Sequence, residues 1–166
     1  GKGISQKNSL NYPLDLSSED WYVYNDNYGT DEEKALVHQF RMYLEKLRKV
    51  YSKLYLVRNE QQLSIYSFKD GNRFEPDFVL FLQKWDGKDF EQMQIFIEPK
   101  GENLLKQEKW KEDFLLEIKE KTNEDPSLLS ENSHYKIWGF HFTNFNGKKE
   151  NRGKEFKQDM KEILTR

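Results

Sequence analysis

Charged side chains stand within two apolar runs in the middle of the chain. Residues 74–82 carry Asp77, and residues 94–101 carry Glu98 and Lys100. Both runs are apolar enough to form buried strands, and burying a charge without a partner or a metal is costly. We therefore expect these three residues to form a functional site. The alternative is a structural cluster of ion pairs.

The turn between the two runs predicts how these residues meet. Asp86-Gly87-Lys88-Asp89 is typical of a tight hairpin, and a hairpin folded about it places Asp77 opposite Glu98. Facing side chains on antiparallel strands are roughly 5 Å apart at Cβ. Because side chains alternate along a strand, Lys100 points to the same face as Glu98. Two carboxylates and one ammonium are predicted to converge.

This combination of groups is suited to metal-assisted hydrolysis of a phosphodiester bond. Hard divalent cations such as Mg²⁺ prefer oxygen ligands and are often held by one or two carboxylates together with waters and a substrate phosphate. A bound metal lowers the pKa of a water and neutralises charge in the transition state, and a lysine orients that water or stabilises negative charge. Asp77 and Glu98 are the predicted ligands, and Lys100 is the predicted catalytic amine.

The same residues carry a resemblance to a known superfamily. Pro76-Asp77 followed by Glu98-Pro99-Lys100 resembles the signature of the PD-(D/E)XK nucleases. Over about residues 54–121 the chain is similar to the C-terminal endonuclease domain of type III restriction enzyme Res subunits and related helicase-linked nucleases. The segments that carry this similarity are residues 55–60, 74–80, 97–101 and 110–114.

The resemblance implies a set of functional expectations. Asp77 and Glu98 would bind Mg²⁺, with Mn²⁺ as a substitute, and Lys100 would serve the nucleophilic water. The substrate would be DNA. The partners would be a covalently linked helicase or translocase motor and a modification (methyltransferase) subunit, which determines the recognition sequence.

A further acidic ligand is expected from the first helix. Members of the superfamily often supply one there, and Glu33 is the candidate in this chain. The alternative is structural, because Thr30-Asp31-Glu32-Glu33 has the pattern of a capping box at a helix N-terminus. Both interpretations of Glu33 stay open from the sequence.

The apolar spacing predicts a mixed α/β fold (an α+β mixed sheet), and its order of helix, strands, helix and strand resembles the restriction-endonuclease-like core. We expect a central antiparallel meander plus a crossover strand, flanked by helices. Residues 1–28 are predicted to be a lead-in segment that packs on the domain, and residues 29–166 the nuclease domain. Pro99 lacks a backbone N–H, which indicates that the sheet opens there. The predicted helices are 30–51, 105–121 and 155–164, and the predicted strands are 54–58, 63–68, 74–82, 92–98 and 135–142.

Composition narrows the class of protein. The 166 residues include 34% charged and 15% aromatic residues, which predicts one folded domain. There is no cysteine, which excludes disulfides and thiol chemistry and fits a cytoplasmic location. No apolar run approaches the roughly 20 residues of a membrane span, so no membrane partner is expected.

The net charge bears on how DNA would be bound. A net charge of −2 argues against a free-standing nucleic-acid binder, because such proteins usually carry a basic surface. Tethering to a motor domain replaces affinity with effective concentration. The chain contains no G-x-x-x-x-G-K-[ST] phosphate loop, so it is not itself the motor.

Other polar residues have weaker claims to function. The histidines do not fall at metal-ligand spacing and are expected to satisfy local hydrogen bonds; they are His38, His134 and His141. Residues near the second long helix either track phosphate or form a solvated face; they are Asn103, Lys106, Lys109 and Lys111. A basic run either contacts DNA or is a surface loop; it consists of Lys148, Lys149, Arg152 and Lys154.

The residues and the resemblance together predict a Mg²⁺-dependent DNA endonuclease domain within a larger ATP-dependent, type III restriction enzyme. The alternative is a non-cleaving DNA-docking or subunit-interaction module with the same fold. An RNA-directed hydrolase would use the same residues.

Overall fold

A mixed sheet forms the centre of the domain. The computed structural model describes residues 3–125 and 135–166. Within these ranges the strands are β1 (Lys53–Arg58), β2 (Ile65–Tyr66), β3 (Arg73–Phe74), β4 (Phe78–Trp85), β5 (Phe90–Ile97) and β6 (Tyr135–Gly139). The main sheet has the order β1-β4-β5-β6. Its first three strands are antiparallel neighbours, and β6 pairs with β5 in parallel, as the predicted crossover requires.

Helices flank this sheet. They are α1 (Asp31–Arg41), α2 (Leu44–Val50), α3 (Lys109–Glu124) and α4 (Gly153–Leu164), with short 3₁₀ helices at Gln6–Asn8 and Glu102–Leu104. The mixed α/β prediction with flanking helices is therefore confirmed. No helix in the described ranges is long and apolar enough to cross a membrane.

The meander predicted from four consecutive strands is wrong in one respect. The predicted strand 63–68 does not join the main sheet, because β2 pairs only with β3 in a separate ribbon and β1 pairs directly with β4. The predicted strand 74–82 is divided into β3 and β4. Pro76 lies in the break and lacks the N–H that a continuous ladder would need there.

The predicted helix 30–51 is also divided. At Met42 and Tyr43 the backbone forms i to i−3 hydrogen bonds with Gln39 and Phe40, of 3.1 and 2.9 Å, and this tight turn separates α1 from α2. The predicted helix 105–121 begins only at Lys109. Residues 105–108 form turns instead, directly after the short 3₁₀ helix Glu102–Leu104.

Each face of the sheet has its own apolar core. Helices α1, α2 and α4 cover one face, where the buried residues include Leu36, Phe40, Leu56, Leu80, Ile95, Trp138 and Met160. Helix α3 covers the other face, where they include Val79, Phe96, Phe114, Leu115, Ile118 and Phe142. Gly139 permits the close approach of α3, because a Cβ at this position would lie 2.2 Å from the carbonyl oxygen of Leu115.

The segment before α1 packs on the first of these cores. Leu14, Leu16, Trp21 and Tyr22 are buried there. Tyr22 also forms a parallel β-bridge with Leu56 of β1. The lead-in residues thus supply core side chains as well as a backbone contact at the edge of the sheet.

Candidate active site

The β4–β5 hairpin has the register that the turn predicted. Phe78 pairs with Ile97 at one end and Trp85 with Phe90 at the other. Asp77 lies one residue before the first pair, and Glu98 one residue after it. Their alternation places them on the same face as Val79 and Phe96, which pack against α3. The two carboxyl groups are therefore brought together at the end of the hairpin.

Asp77 and Glu98 form a hydrogen-bonded acid pair. Glu98 is only 3% exposed, whereas Asp77 is half-buried. Burial raises the pKa of Glu98 most, and its hydrogen bond with Asp77 and the charge of Asp77 raise it further. Lys100 and Lys111 act in the opposite direction but do not cancel this rise. The buried member of the pair thus holds a proton far more tightly than an ordinary glutamate.

Pro99 has no N–H to donate, but the residues on either side of it keep the backbone hydrogen bonds to the neighbouring segment. Thr143 donates its N–H to the carbonyl of Glu98 at 3.0 Å, and its carbonyl accepts from the N–H of Lys100 at 2.9 Å. The residues on either side of Pro99 therefore make the bridge to Thr143. On the other side, the pairing of β4 with β5 ends at Phe78 and Ile97, so the sheet opens where the proline predicts.

Glu108 holds the ammonium group of Lys100. The two side chains form an ion pair, and the same Oε2 atom lies 3.0 Å from Nζ of Lys111. Burial raises the pKa of Glu108, but its bonds to the two lysines outweigh burial and bring it below the ordinary value. Sequence reasoning missed Glu108. Its spacing of three residues from Lys111 was the available signal.

Glu33 lies in the first turn of α1 and near the acid pair. Its backbone N–H donates to Oγ1 of Thr30 at 3.3 Å, which is one half of the predicted capping box. Its carboxylate lies beside Arg58, with Oε2 3.2 Å from Nη2. Burial raises the pKa of Glu33 most, and the negative charge of Asp77 raises it further. The residue therefore combines a helix-terminal position with an electrostatic effect from the site.

Asn59 fixes the chain that leads into Asp77. Its backbone N–H donates to the carbonyl of Asp77 at 2.7 Å, and its side-chain amide donates to the carbonyl of Pro76 at 2.9 Å. Its Oδ1 accepts from the backbone of Leu63 at 2.9 Å. Sequence reasoning gave Asn59 no role of its own. Its function depends on a contact with a segment 17 residues away, which local patterns do not reveal.

A cleft of about 840 Å³ opens beside Asp77. It is lined by Tyr28, Arg58, Asn59, Glu60, Gln61, Glu75 and Asp77. Gln61 adopts φ 61° there, a left-handed conformation that is uncommon outside glycine. The cleft gives the half-buried Asp77 an approach from solvent, and Glu98 lies behind it.

The remaining candidates are mostly engaged in structural contacts. Nδ1 of His141 is 3.0 Å from the buried carboxylate of Asp159, and the ring of His38 lies 6.1 Å from that of Tyr12. His134 is outside the described residues. Lys109 pairs with Asp113 at 3.0 Å.

The basic run is divided between exposed and engaged side chains. Arg152 pairs with Glu112 at 3.3 Å and with Glu150 at 3.2 Å. Asn103 and Lys106 are exposed, as are Lys148, Lys149 and Lys154. None of these five described side chains forms a hydrogen bond with Asp77 or Glu98. Their phosphate contacts stay predictions.

The donors at the site fit a hard divalent cation, with few protein ligands. In the part of the chain that the structure describes, no group of three or more His, Asp or Glu side chains is arranged to hold a metal. Asp77 and Glu98 supply only oxygen donors. Oε2 of Glu33 has no hydrogen-bond partner among the described residues, but it lies 3.2 Å from Nη2 of Arg58. Mg²⁺ or Mn²⁺ held by two carboxylates would take most of its ligands from water and phosphate.

Fold and site together define a mixed α/β domain with an acid pair and a lysine at the open end of a hairpin. The chain matches the family HI_1054_C, described as a C-terminal domain, over residues 7–164, and it belongs to that family. It is also 37% identical over 151 residues to a Haemophilus influenzae protein named "Uncharacterized protein". That alignment covers 87% of this chain and 32% of the relative, so the chain spans about a third of the relative's length. No solved structure matches the chain.

Proposed function

We propose that this chain is a Mg²⁺-dependent DNA endonuclease domain with a restriction-endonuclease-like fold. Mn²⁺ would substitute for Mg²⁺. The observation that carries the proposal is the convergence of Asp77, Glu98 and Lys100 on one face at the open end of the β4–β5 hairpin. Two carboxyl groups in direct contact need either a shared proton or a cation, and in this proposal a divalent cation would replace the proton that Glu98 holds.

The residues of the chain have separate tasks in this proposal. Asp77 is half-buried beside the cleft and meets the substrate side, whereas Glu98 lies almost wholly buried behind it. A bound divalent ion would supply a water of lowered pKa and neutralise charge on the phosphate. Lys100 orients that water. Glu108 holds the ammonium of Lys100, and Asn59 holds the backbone of Asp77.

The larger context is also a proposal. The chain spans about a third of its relative's length, and its family is described as a C-terminal domain. We propose that a helicase or translocase motor occupies the remainder of such a protein, and that a methyltransferase subunit selects the DNA sequence. Together they would form an ATP-dependent, type III restriction enzyme. The motor would deliver DNA to a domain whose own net charge is −2.

Two observations favour a second candidate, a non-cleaving DNA-docking or subunit-interaction module. The ammonium of Lys100 contacts Glu108, and Glu98 is 3% exposed. A module that has lost catalysis would keep the fold and this ion pair without needing a metal. It predicts no divalent-ion binding and no effect of neutralising Glu98.

Cleavage by the purified chain tests the two candidates. We expect weak nicking of supercoiled plasmid in Mg²⁺ or Mn²⁺, and a loss of about 100-fold or more in Asp77→Asn and Lys100→Ala, because each removes a group that acts on the reacting atoms. Calorimetry with Mn²⁺ should show binding that Asp77→Asn abolishes. An RNA substrate in parallel separates DNA from RNA preference.

The matched control is Asp113→Asn, which removes an exposed carboxylate of α3 that pairs with Lys109. It should cleave like the unmodified chain. Cleavage that persists equally in Asp77→Asn and Lys100→Ala would refute the assigned roles. Absence of both cleavage and metal binding would favour the docking module.

A further inference from the structure

Arg58 stands out among the groups that line the cleft. Of its described lining residues, Arg58 is the one cation, and three others are acids: Glu60, Glu75 and Asp77. An anionic substrate entering the cleft therefore meets a single guanidinium on its walls. The lysines of the site, Lys100 and Lys111, lie outside this lining.

The backbone places Arg58 beside the acid pair. It is the last residue of β1 and pairs with Phe78, the residue that follows Asp77. The next residue along the chain, Asn59, donates its N–H to the carbonyl of Asp77. The position of Arg58 relative to Asp77 is thus fixed by two adjacent strands rather than by a flexible loop.

An ion pair with Glu33 also holds the guanidinium of Arg58. Its Nη2 lies 3.2 Å from Glu33, whose side chain is 12% exposed, whereas the side chain of Arg58 is 27% exposed. Tyr22 lies near the same groups, and its buried hydroxyl has no hydrogen-bond partner among the described residues. One edge of the guanidinium therefore faces the buried side chains of Glu33 and Tyr22, and the rest of the Arg58 side chain lines the cleft.

We propose that Arg58 binds a phosphate group of the nucleic-acid strand in this cleft, with Glu33 as its positioning residue. The identity of the ligand as a nucleic acid rests on the proposed function. A guanidinium presents planar donors that match phosphate oxygens in a bidentate manner, and an ion pair on one edge reduces the freedom lost on binding. Glu33 thereby acts through Arg58.

The acids of the cleft weaken phosphate binding at Arg58. Glu60, Glu75 and Asp77 repel a phosphate, so Arg58 alone gives weak binding at neutral pH. Cations that neutralise the acids should therefore strengthen it. Replacing Glu60 and Glu75 by glutamine should raise metal-free affinity, because these two acids line the cleft without taking part in the acid pair.

Oligonucleotide binding to the Lys100→Ala protein tests the proposal, because this background separates binding from cleavage. Fluorescence anisotropy with a labelled single-stranded oligonucleotide, in Mg²⁺, should show a loss of affinity of about tenfold or more in Arg58→Ala. Arg58→Lys should keep part of the affinity, since it keeps the charge but not the fork. The slope of log K against log salt should fall by about 1 in Arg58→Ala.

The matched control is Arg48→Ala. Arg48 pairs with Asp20, its side chain is 49% exposed, and neither residue lines the cleft. Its removal should change affinity less than twofold. Equal affinities in Arg58→Ala and Arg48→Ala, or no binding at all by the Lys100→Ala protein, would overturn the proposal.

If Arg58→Ala folds poorly, the affinity of Glu33→Gln provides a second test of the proposal. It leaves the guanidinium in place but weakens its anchor, so we expect an intermediate loss of affinity. Failure of the nuclease proposal is visible separately, as absence of cleavage by the unmodified chain in Mg²⁺ and Mn²⁺. Binding that depends on Arg58 without any cleavage would support the phosphate site and refute the nuclease.

Discussion

Glu108 determines where the ammonium of Lys100 stands. Its carboxylate binds both Lys100 and Lys111, and all three side chains are less than a third exposed. Two ammonium groups would otherwise stand near each other in a partly desolvated site. The ion pairs therefore keep Lys100 in one place beside the acid pair.

We expect Glu108→Gln to lower both stability and cleavage. Leaving two partly buried ammonium groups without their carboxylate should reduce the free energy of unfolding by about 1 kcal/mol, after allowance for solvent screening. Cleavage should fall by about tenfold or more, because Lys100 loses its position. Urea unfolding and plasmid nicking measure the two effects.

The comparison variant is Lys109→Ala, which removes an exposed lysine at the start of α3 that pairs with Asp113 and lies 3.9 Å from Glu112. Its unfolding free energy should stay within about 0.5 kcal/mol of the unmodified chain. Full cleavage by Glu108→Gln would show that Lys100 needs no such anchor.

At the site, the sequence was informative where a single hairpin determines geometry. The convergence of Asp77, Glu98 and Lys100 followed from one turn and the alternation of side chains. The sequence did not single out Arg58, Asn59 or Glu108 as residues that contact the site. Their contacts join segments that no turn or period connects in the sequence.

At the scale of elements, a carboxylate of α4 fastens the segment that follows β6. Asp159 is fully buried and accepts hydrogen bonds from the backbone N–H of His141 at 2.8 Å and from its ring at 3.0 Å. Lys119 of α3 lies 3.7 Å from the same carboxylate. Residues of two helices and the chain after β6 therefore meet at one buried charge.

This contact predicts a pH dependence of stability. The hydrogen bond with Asp159 is the largest cause that raises the pKa of His141 above 6.5, and burial opposes it. The negative charges of Asp159 and Glu112 raise this pKa further, whereas the positive charge of Lys119 lowers it. Because the folded protein binds the proton more tightly, the stabilisation is fully present below pH 6.5 and is lost as pH rises through the raised pKa.

Urea unfolding of the unmodified chain and His141→Gln, at pH values on both sides of that window, measures the effect. The variant should lose about 1 kcal/mol or more on the acidic side and distinctly less on the alkaline side. In an Asp159→Asn background the pH dependence of this difference should disappear. A difference that is the same at every pH would contradict the prediction.

Element boundaries show why part of the fold escaped prediction. The strand pattern in residues 63–68 was sound locally, yet β2 pairs with β3 away from the main sheet. Apolar alternation reveals that a strand has a buried face but not which partner it chooses. Similarly, the spacing of apolar residues continues across α1 and α2, and only the backbone turn at Met42 and Tyr43 separates them.

At the scale of the whole molecule, residues 3–28 contribute to the core of the domain. Leu16, Trp21 and Tyr22 are buried in the core beneath α1 and α2. The N–H of Leu56 donates to the carbonyl of Trp21 at 2.7 Å, so this segment also pairs with the outer side of β1. The segment therefore covers an edge that would otherwise be open.

Deleting residues 1–28 should therefore prevent folding of residues 29–166. Each large apolar side chain that is fully buried contributes about 1.5–3 kcal/mol, and a domain has only about 5–15 kcal/mol in total. Losing Leu14, Leu16, Trp21 and Tyr22 together removes much of that margin and exposes the edge of β1 to aggregation. Far-UV circular dichroism and thermal melting of the purified fragment measure the loss.

Removing residues 1–4 is the control, because Ile4 is 66% exposed and its loss should leave the melting temperature unchanged. A cooperative transition near that of the unmodified chain, in the fragment 29–166, would mean that the segment only lies on a core that is already complete.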